Sequence, residues 1–97
     1  MWILTGRNGG RALRFRVPDG ATRTVGRARG ADFVIDAPLV SRVHCRLRAA
    51  PDALEVEDLA STNGTFVNDR RVQKQALSAG DRLRVGRVEL QVERSGR

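Results

Sequence analysis

Apolar and polar residues alternate with period 2 along most of the chain. Leu13, Phe15 and Val17 fall on one face and Arg14 and Arg16 on the other, the pattern of a strand that buries one side. The same template fits Val43, Cys45 and Leu47 against His44, Arg46 and Arg48, and then Leu54 and Val56 against Glu55 and Glu57. It recurs at Leu83 and Val85 against Arg82 and Arg84, and at Val88, Leu90 and Val92 against Glu89, Gln91 and Glu93. Trp2 and Ile3 predict one more strand, at the N-terminus, with the tryptophan as a packing residue. Turn signals separate these segments at Asn8-Gly9-Gly10, Pro18-Asp19-Gly20, Gly30, Pro51-Asp52, Asn63-Gly64, Asn68-Asp69 and Gly80-Asp81. Short strands with regular breaks predict an all-β sandwich or barrel. The best helical candidate, Val72 to Ala79, is too short and polar to bury an apolar stripe and predicts a loop or single turn. Arg94 to Arg97 read as a flexible tail.

Composition narrows the class. A length of 97 residues fits one small domain spanning 1–97 and excludes a multidomain enzyme. With 40% apolar and 30% charged residues the chain can build a thin core, which argues against wholesale disorder. No apolar run nears the ~18 residues of a membrane span, and Met1 to Gly10 lacks the pattern of an export leader, so the expected setting is cytoplasmic and away from the membrane. Cys45 stands alone, which excludes an internal disulfide and suits a reducing compartment; its place on the apolar face predicts a buried, inert thiol. A net charge of +7 favours anionic partners: nucleic acid, anionic lipid or phosphorylated peptide. Every basic residue except Lys74 is arginine, which suits bidentate phosphate contacts, although genomic base composition produces the same bias. The aromatic residues are Trp2 and three phenylalanines, few for a reader of single-stranded nucleic acid, which interleaves stacking rings with cations. A basic nucleic-acid-binding domain is therefore disfavoured and kept as the alternative.

Three polar clusters interrupt the alternation: Gly26-Arg27, Ser41-Arg42-Val43-His44 and Ser61-Thr62-Asn63-Gly64-Thr65. Sandwich loops gather at two ends, so the clusters can share a rim, though spacing alone does not bring them together. They offer an arginine fork, hydroxyls and an amide, a donor set that holds an anion rather than transforms it. Ser41 and His44 form no oriented triad, and neither a Gly-x-Ser-x-Gly elbow nor a Gly-x-x-x-x-Gly-Lys phosphate loop occurs. The expectation is a non-enzyme with no cofactor and no metal. Gly26 either admits a close backbone approach or merely ends a strand, and Asn63-Gly64 reads as a tight turn as well as a binding element.

In order and spacing these clusters resemble the forkhead-associated (FHA) family over about residues 23–92. Thr24-Val25-Gly26-Arg27 is similar to the family's opening Gly-Arg, Ala31 to Asp36 to its acidic-apolar strand, and Val40-Ser41-Arg42-Val43-His44 to its Ser-x-x-His loop. Glu57 to Asn68 resembles the Asp-Leu-x-Ser-x-Asn-Gly-Thr-x-Val-Asn block, and Leu77 to Gly86 the closing Gly-Asp-x-Leu pattern. Each block is weak alone; five in order are specific. Asp69 departs from the pattern, standing where the family often has glycine.

The resemblance implies a two-sheet β-sandwich of about eleven short strands, with binding loops at one end that recognise phosphothreonine in a signalling partner, such as a Ser/Thr kinase or its substrate. Carried onto this chain, Arg27, Ser41 and Thr62 would bind the phosphate. Arg42 would contact the phosphate or the peptide backbone, and Asn63 would hold the peptide main chain. Gly26, His44, Ser61 and Gly64 would support the site. The chemistry agrees, because a phosphothreonine carries about −1.5 to −2 charges and three acceptor oxygens that an arginine fork satisfies in pairs. Phosphate-independent protein contact through the same fold is a further alternative. Arg29, Arg70, Arg71 and Arg82 predict a preference for acidic residues flanking the phosphothreonine.

Overall fold

The computed structural model describes residues 1–95. Alternating segments become β1 (Trp2–Asn8), β2 (Arg11–Val17), β3 (Thr22–Gly26), β4 (Phe33–Val34), β5 (Cys45–Ala49), β6 (Leu54–Asp58), β7 (Thr65–Val67), β8 (Arg70–Val72), β9 (Lys74–Leu77), β10 (Arg82–Val85) and β11 (Val88–Arg94). They form a six-stranded sheet in the order β2-β1-β11-β10-β7-β8 and a five-stranded sheet in the order β4-β3-β5-β6-β9. Among the described residues only β3 and β4 pair in parallel. No helix occurs among the described residues, and so none is long and apolar enough to cross a membrane.

The inward residues of both sheets make one core. Trp2, Leu4, Leu83, Val85, Leu90 and Val92 from the first sheet meet Val25, Leu47, Leu54, Val56 and Leu77 from the second. Each fully buried Val or Leu contributes about 1.5–3 kcal/mol of transfer free energy, which offsets chain entropy without any covalent staple. Across the two sheets, Phe15 of β2 stacks on Phe33 of β4, with ring centroids 4.6 Å apart. The outer face of the second sheet is laced by Arg46–Glu57, Arg48–Glu55 and Lys74–Glu55 ion pairs.

Asn68 and Asp69 join β7 to β8 as a two-residue turn, with Val67 opposite Arg70 and φ of 49° and 69°. Two left-handed residues match the twist of a hairpin, and asparagine tolerates that region well. Asn68 is also locked by its side chain, which donates to Asp81 at 3.1 Å and accepts from the Arg82 backbone at 2.9 Å. Asp69 carries the strain with only an exposed 3.4 Å pair to Arg82 in return. Asp69→Gly is therefore expected to stabilise the fold by about 0.5–1 kcal/mol, seen as a higher urea midpoint at unchanged slope. A lower midpoint would show that the Arg82 pair outweighs the backbone strain.

Three expectations are corrected. Val72 to Ala79 is not a loop or single turn: Lys74 to Leu77 is an edge strand paired with β6, and only Leu77 points into the core, so the exposed face conceals the strand pattern. Val43 is 47% exposed and His44 fully buried, the reverse of the alternation, because β5 begins at Cys45 and the preceding bend turns the imidazole inward, where it finds partners described below. Arg94 and Ser95 are not a tail. Arg94 pairs with Trp2, reaches the Pro51 carbonyl at 3.0 Å and covers the Trp2 ring, while the Ser95 amide donates to the Met1 carbonyl at 2.9 Å. Gly96 and Arg97, the rest of that segment, lie outside the described residues.

Candidate functional site

The loops β3–β4, β4–β5 and β6–β7 meet at one end of the sandwich, and backbone hydrogen bonds zip the first two together. The Arg27 amide donates to the Ser41 carbonyl at 2.9 Å and the Ala28 amide to the Arg42 carbonyl at 3.1 Å. Gly26 makes this possible: a Cβ there would sit 2.1 Å from the Arg42 carbonyl oxygen, a contact no side chain survives. Arg27 then stands at the junction. Its Nε donates to the Val40 carbonyl at 3.0 Å, which fixes the plane of the guanidinium. Among the described residues its terminal nitrogens have no hydrogen-bond partner, and the residue is exposed, so these donors are free for a ligand.

His44 ties the second loop to the third. Its Nδ1 accepts from the Ser41 amide at 3.0 Å, so Nε2 carries the proton and donates to the Gly64 carbonyl at 2.8 Å. The ring is buried between them and reaches no surface. Ser41 Oγ accepts from the Thr62 amide at 3.0 Å, which leaves its hydroxyl proton to donate into the cleft. Asn63 Nδ2 donates to the Leu39 carbonyl at 3.1 Å; the amide oxygen and second N–H remain for a peptide group. Gly64, at φ 91°, turns the chain, and the Arg71 side chain lies across the space its Cβ would take.

Behind this loop lies a hub that the sequence reading left unassigned. Asp58 accepts from the Ser61 hydroxyl, from the Ser61 amide at 3.1 Å and from Thr65 Oγ1 at 2.7 Å, while the Gly64 amide donates to Ser61 Oγ at 3.0 Å. The signal was available: Leu54, Val56 and Asp58 share the inward parity of β6, and an acid on a buried face must find donors. Burial pushes the Asp58 carboxyl up, but the Ser61 and Thr65 hydrogen bonds outweigh it and hold the pKa below the ordinary carboxylate range. A lowered native pKa stabilises the fold fully above about pH 4, the unfolded value, and that stabilisation is lost as pH falls through the lower native value. Wild type is thus expected to lose stability on acidification below about pH 4 more steeply than Asp58→Asn, by urea denaturation across pH. Parallel curves for the two proteins would contradict this. Nearby, burial foremost, with Asp58 adding, pushes the Cys45 thiol up to about 12, so it stays an unreactive thiol in the folded chain.

The result is an open cleft of about 560 Å³ lined by Arg27, Asp36, Ala37, Pro38, Leu39, Val40, Ser41, Thr62 and Asn63. It brings together four expected contact residues, Arg27, Ser41, Thr62 and Asn63. Arg42 is not among them: it lines a second cleft on another side of Arg27, with Ala28 and Arg29. Gly26, His44, Ser61 and Gly64 lie behind the rim as its bracing. Leu39 and its neighbours, which form the apolar wall, carry no polar signal in the sequence; Leu39 is 44% exposed with φ 73°.

A β-sandwich that presents a guanidinium fork and hydroxyls on one braced loop rim is an anion-recognition module. Its lineage agrees. The FHA domain family model matches residues 23–86, and the chain belongs to the FHA family. It is 43% identical over 78 residues to an ABC transporter ATP-binding/permease protein of Mycobacterium tuberculosis, covering 80% of this chain and 9% of the relative. It is 38% identical over 72 residues to an oxoglutarate dehydrogenase inhibitor of Corynebacterium diphtheriae, covering 74% of this chain and 50% of the relative. The chain thus spans half or less of the length of these two relatives. A solved structure from work on phosphothreonine-dependent FHA domain interactions superposes with a TM-score of 0.87 at 32% identity, covering 98% of this chain and 97% of the other.

Proposed function

We propose that residues 1–97 are one FHA domain that docks a phosphothreonine-containing segment of a partner protein on the cleft between Arg27 and Asn63. One observation supports this reading: Arg27, held through Nε by the Val40 carbonyl, lines one cleft together with Ser41, Thr62 and Asn63. Arg27 would take two phosphate oxygens, with the Ser41 and Thr62 hydroxyls donating to the phosphate. Asn63 would pair with the peptide main chain beside it. Ala37, Pro38, Leu39 and Val40 offer an apolar wall for the threonine γ-methyl, a group typically worth about 1–3 kcal/mol in a fitted pocket. The domain acts by binding and not by catalysis. A cytoplasmic setting, where kinases phosphorylate their targets, suits the buried reduced Cys45, and a Ser/Thr kinase or its substrate is the partner class.

The test is fluorescence anisotropy of one degenerate peptide library in phosphothreonine, phosphoserine and unmodified forms. Binding confined to phosphothreonine is expected. Equal binding to all three forms would assign the rim to phosphate-independent contact. Steep salt dependence without phosphothreonine preference would favour nucleic acid.

A further inference from the structure

β2 is an open edge. It ends the six-stranded sheet, pairs with β1 in unbroken register from Trp2 opposite Val17 to Asn8 opposite Arg11, and contains no proline. Among the described residues, the backbone of Arg11–Val17 bonds to β1 and to no other element. Alternate residues therefore turn N–H and C=O groups outward along a seven-residue strand. The other edges are shorter, two residues in β4, three in β8 and four in β9, and brevity is one way a sheet avoids pairing with another chain. β2 is guarded by charge instead. Met1 to Val17 carry Arg7, Arg11, Arg14 and Arg16 and neither aspartate nor glutamate. None of these arginines enters the ion pairs found among the described residues, which use the N-terminus, Arg46, Arg48, Lys74 and Arg82. Beside the strand a groove of about 390 Å³ runs toward β4, with Leu13, Phe15 and Val34 as its apolar lining, Arg11 and Arg14 as its cations and Asp36 as its carboxylate. Val34 is 40% exposed there.

Charge chooses the occupant of this edge. A second copy of the chain would set the arginines of β2 against their own counterparts, and like charges across a strand pair are destabilising. An acidic strand meets the same residues favourably. We infer that the β2 edge docks an extended, acidic segment of a partner protein, which adds to the six-stranded sheet as a seventh strand. Main-chain hydrogen bonds hold the segment, and alternation selects it. Residues opposite the exposed Arg14 and Arg16 are aspartate or glutamate, while those opposite the half-buried Leu13 and Phe15 are apolar and enter the groove against Val34. Apart from Asp36, the groove shares no lining residue with the cleft between Arg27 and Asn63. The segment needs no phosphate, and the inference does not depend on what the rim binds.

The experiment records ¹⁵N–¹H spectra and amide hydrogen exchange of the wild-type domain with three unphosphorylated peptides as long as β2. One alternates glutamate with valine, one alternates lysine with valine, and one has the glutamate and valine residues grouped in two blocks. The alternating glutamate peptide is expected to shift the amides of β2 and of Val34 and to slow exchange at alternate β2 amides, which main-chain pairing requires and side-chain contact alone does not produce. The other two peptides bind at least about tenfold more weakly. Arg14→Glu weakens the alternating glutamate peptide by about tenfold, whereas Arg70→Glu, the same charge reversal on edge strand β8, leaves it near wild type. Unmoved β2 amides, unchanged exchange along β2, equal binding of the three peptides or equal loss in both variants overturns the inference. So does protection of β2 that rises with protein concentration in the absence of peptide, which assigns the edge to a second copy. The three peptides on wild type decide the matter even where Arg14→Glu fails to fold.

Discussion

Arg27→Ala is expected to weaken binding of a phosphothreonine peptide by about 10²–10⁴-fold while the fold survives. Two charge-assisted hydrogen bonds to phosphate are worth about 1.5–3 kcal/mol each, and every 1.4 kcal/mol is tenfold in affinity. The cost to stability is small, because the side chain is exposed and makes one bond, from Nε to the Val40 carbonyl. That bond contributes about 1 kcal/mol, a few degrees in a domain of this size. Arg27→Lys should recover charge but not the fork, and so only part of the affinity. Isothermal titration with a library-derived peptide, beside a thermal melt, reads both quantities. Wild-type affinity in Arg27→Ala would remove Arg27 from the phosphate site.

His44→Ala is expected to show the opposite signature, a large loss of stability and a modest loss of affinity. The imidazole is fully buried and links the Ser41 amide to the Gly64 carbonyl. Its removal opens a cavity and leaves two polar groups without partners, together about 3–5 kcal/mol. A small domain has about 5–15 kcal/mol in total, so the melting temperature should fall by about 15 °C or more. Binding, measured well below that temperature, should weaken by about tenfold, since the loops loosen but no phosphate donor is lost. His44→Gln, which can reach the Gly64 carbonyl, should recover part of the stability. A His44→Ala protein that melts like wild type yet fails to bind would make His44 a ligand-contacting residue instead of a brace.

The two proteins separate what was legible in the chain from what was not. Period-2 alternation locates strands wherever one face is buried, and so Leu13 to Val17, Leu54 to Val56 and Val88 to Val92 were readable. It fails at β9, an edge strand with only Leu77 inside, and at the bend before β5, where hydrogen bonding and not hydrophobicity turns His44 inward. Sequence order gave the polar clusters, but their convergence depends on tertiary contacts: the close approach of Gly26 to the Arg42 carbonyl, and the Ser41 hydroxyl receiving the Thr62 amide. Arg42 illustrates the limit. Neighbouring Ser41 in the chain, it lines the second cleft while Ser41 lines the first, because the chain bends at Arg42 and Val43 before β5 begins.

The most direct test of the account is a ¹⁵N–¹H titration of the wild-type domain with a phosphothreonine peptide taken from the library. The account predicts that the largest shifts fall on the amides of Arg27, Ser41, Thr62 and Asn63 and on the Arg27 Nε–H, with the unmodified peptide leaving them unmoved. Shifts spread over the outer faces of the sheets, at Arg14 and Arg16 or at Arg46 and Arg48, with the rim unchanged, would contradict it.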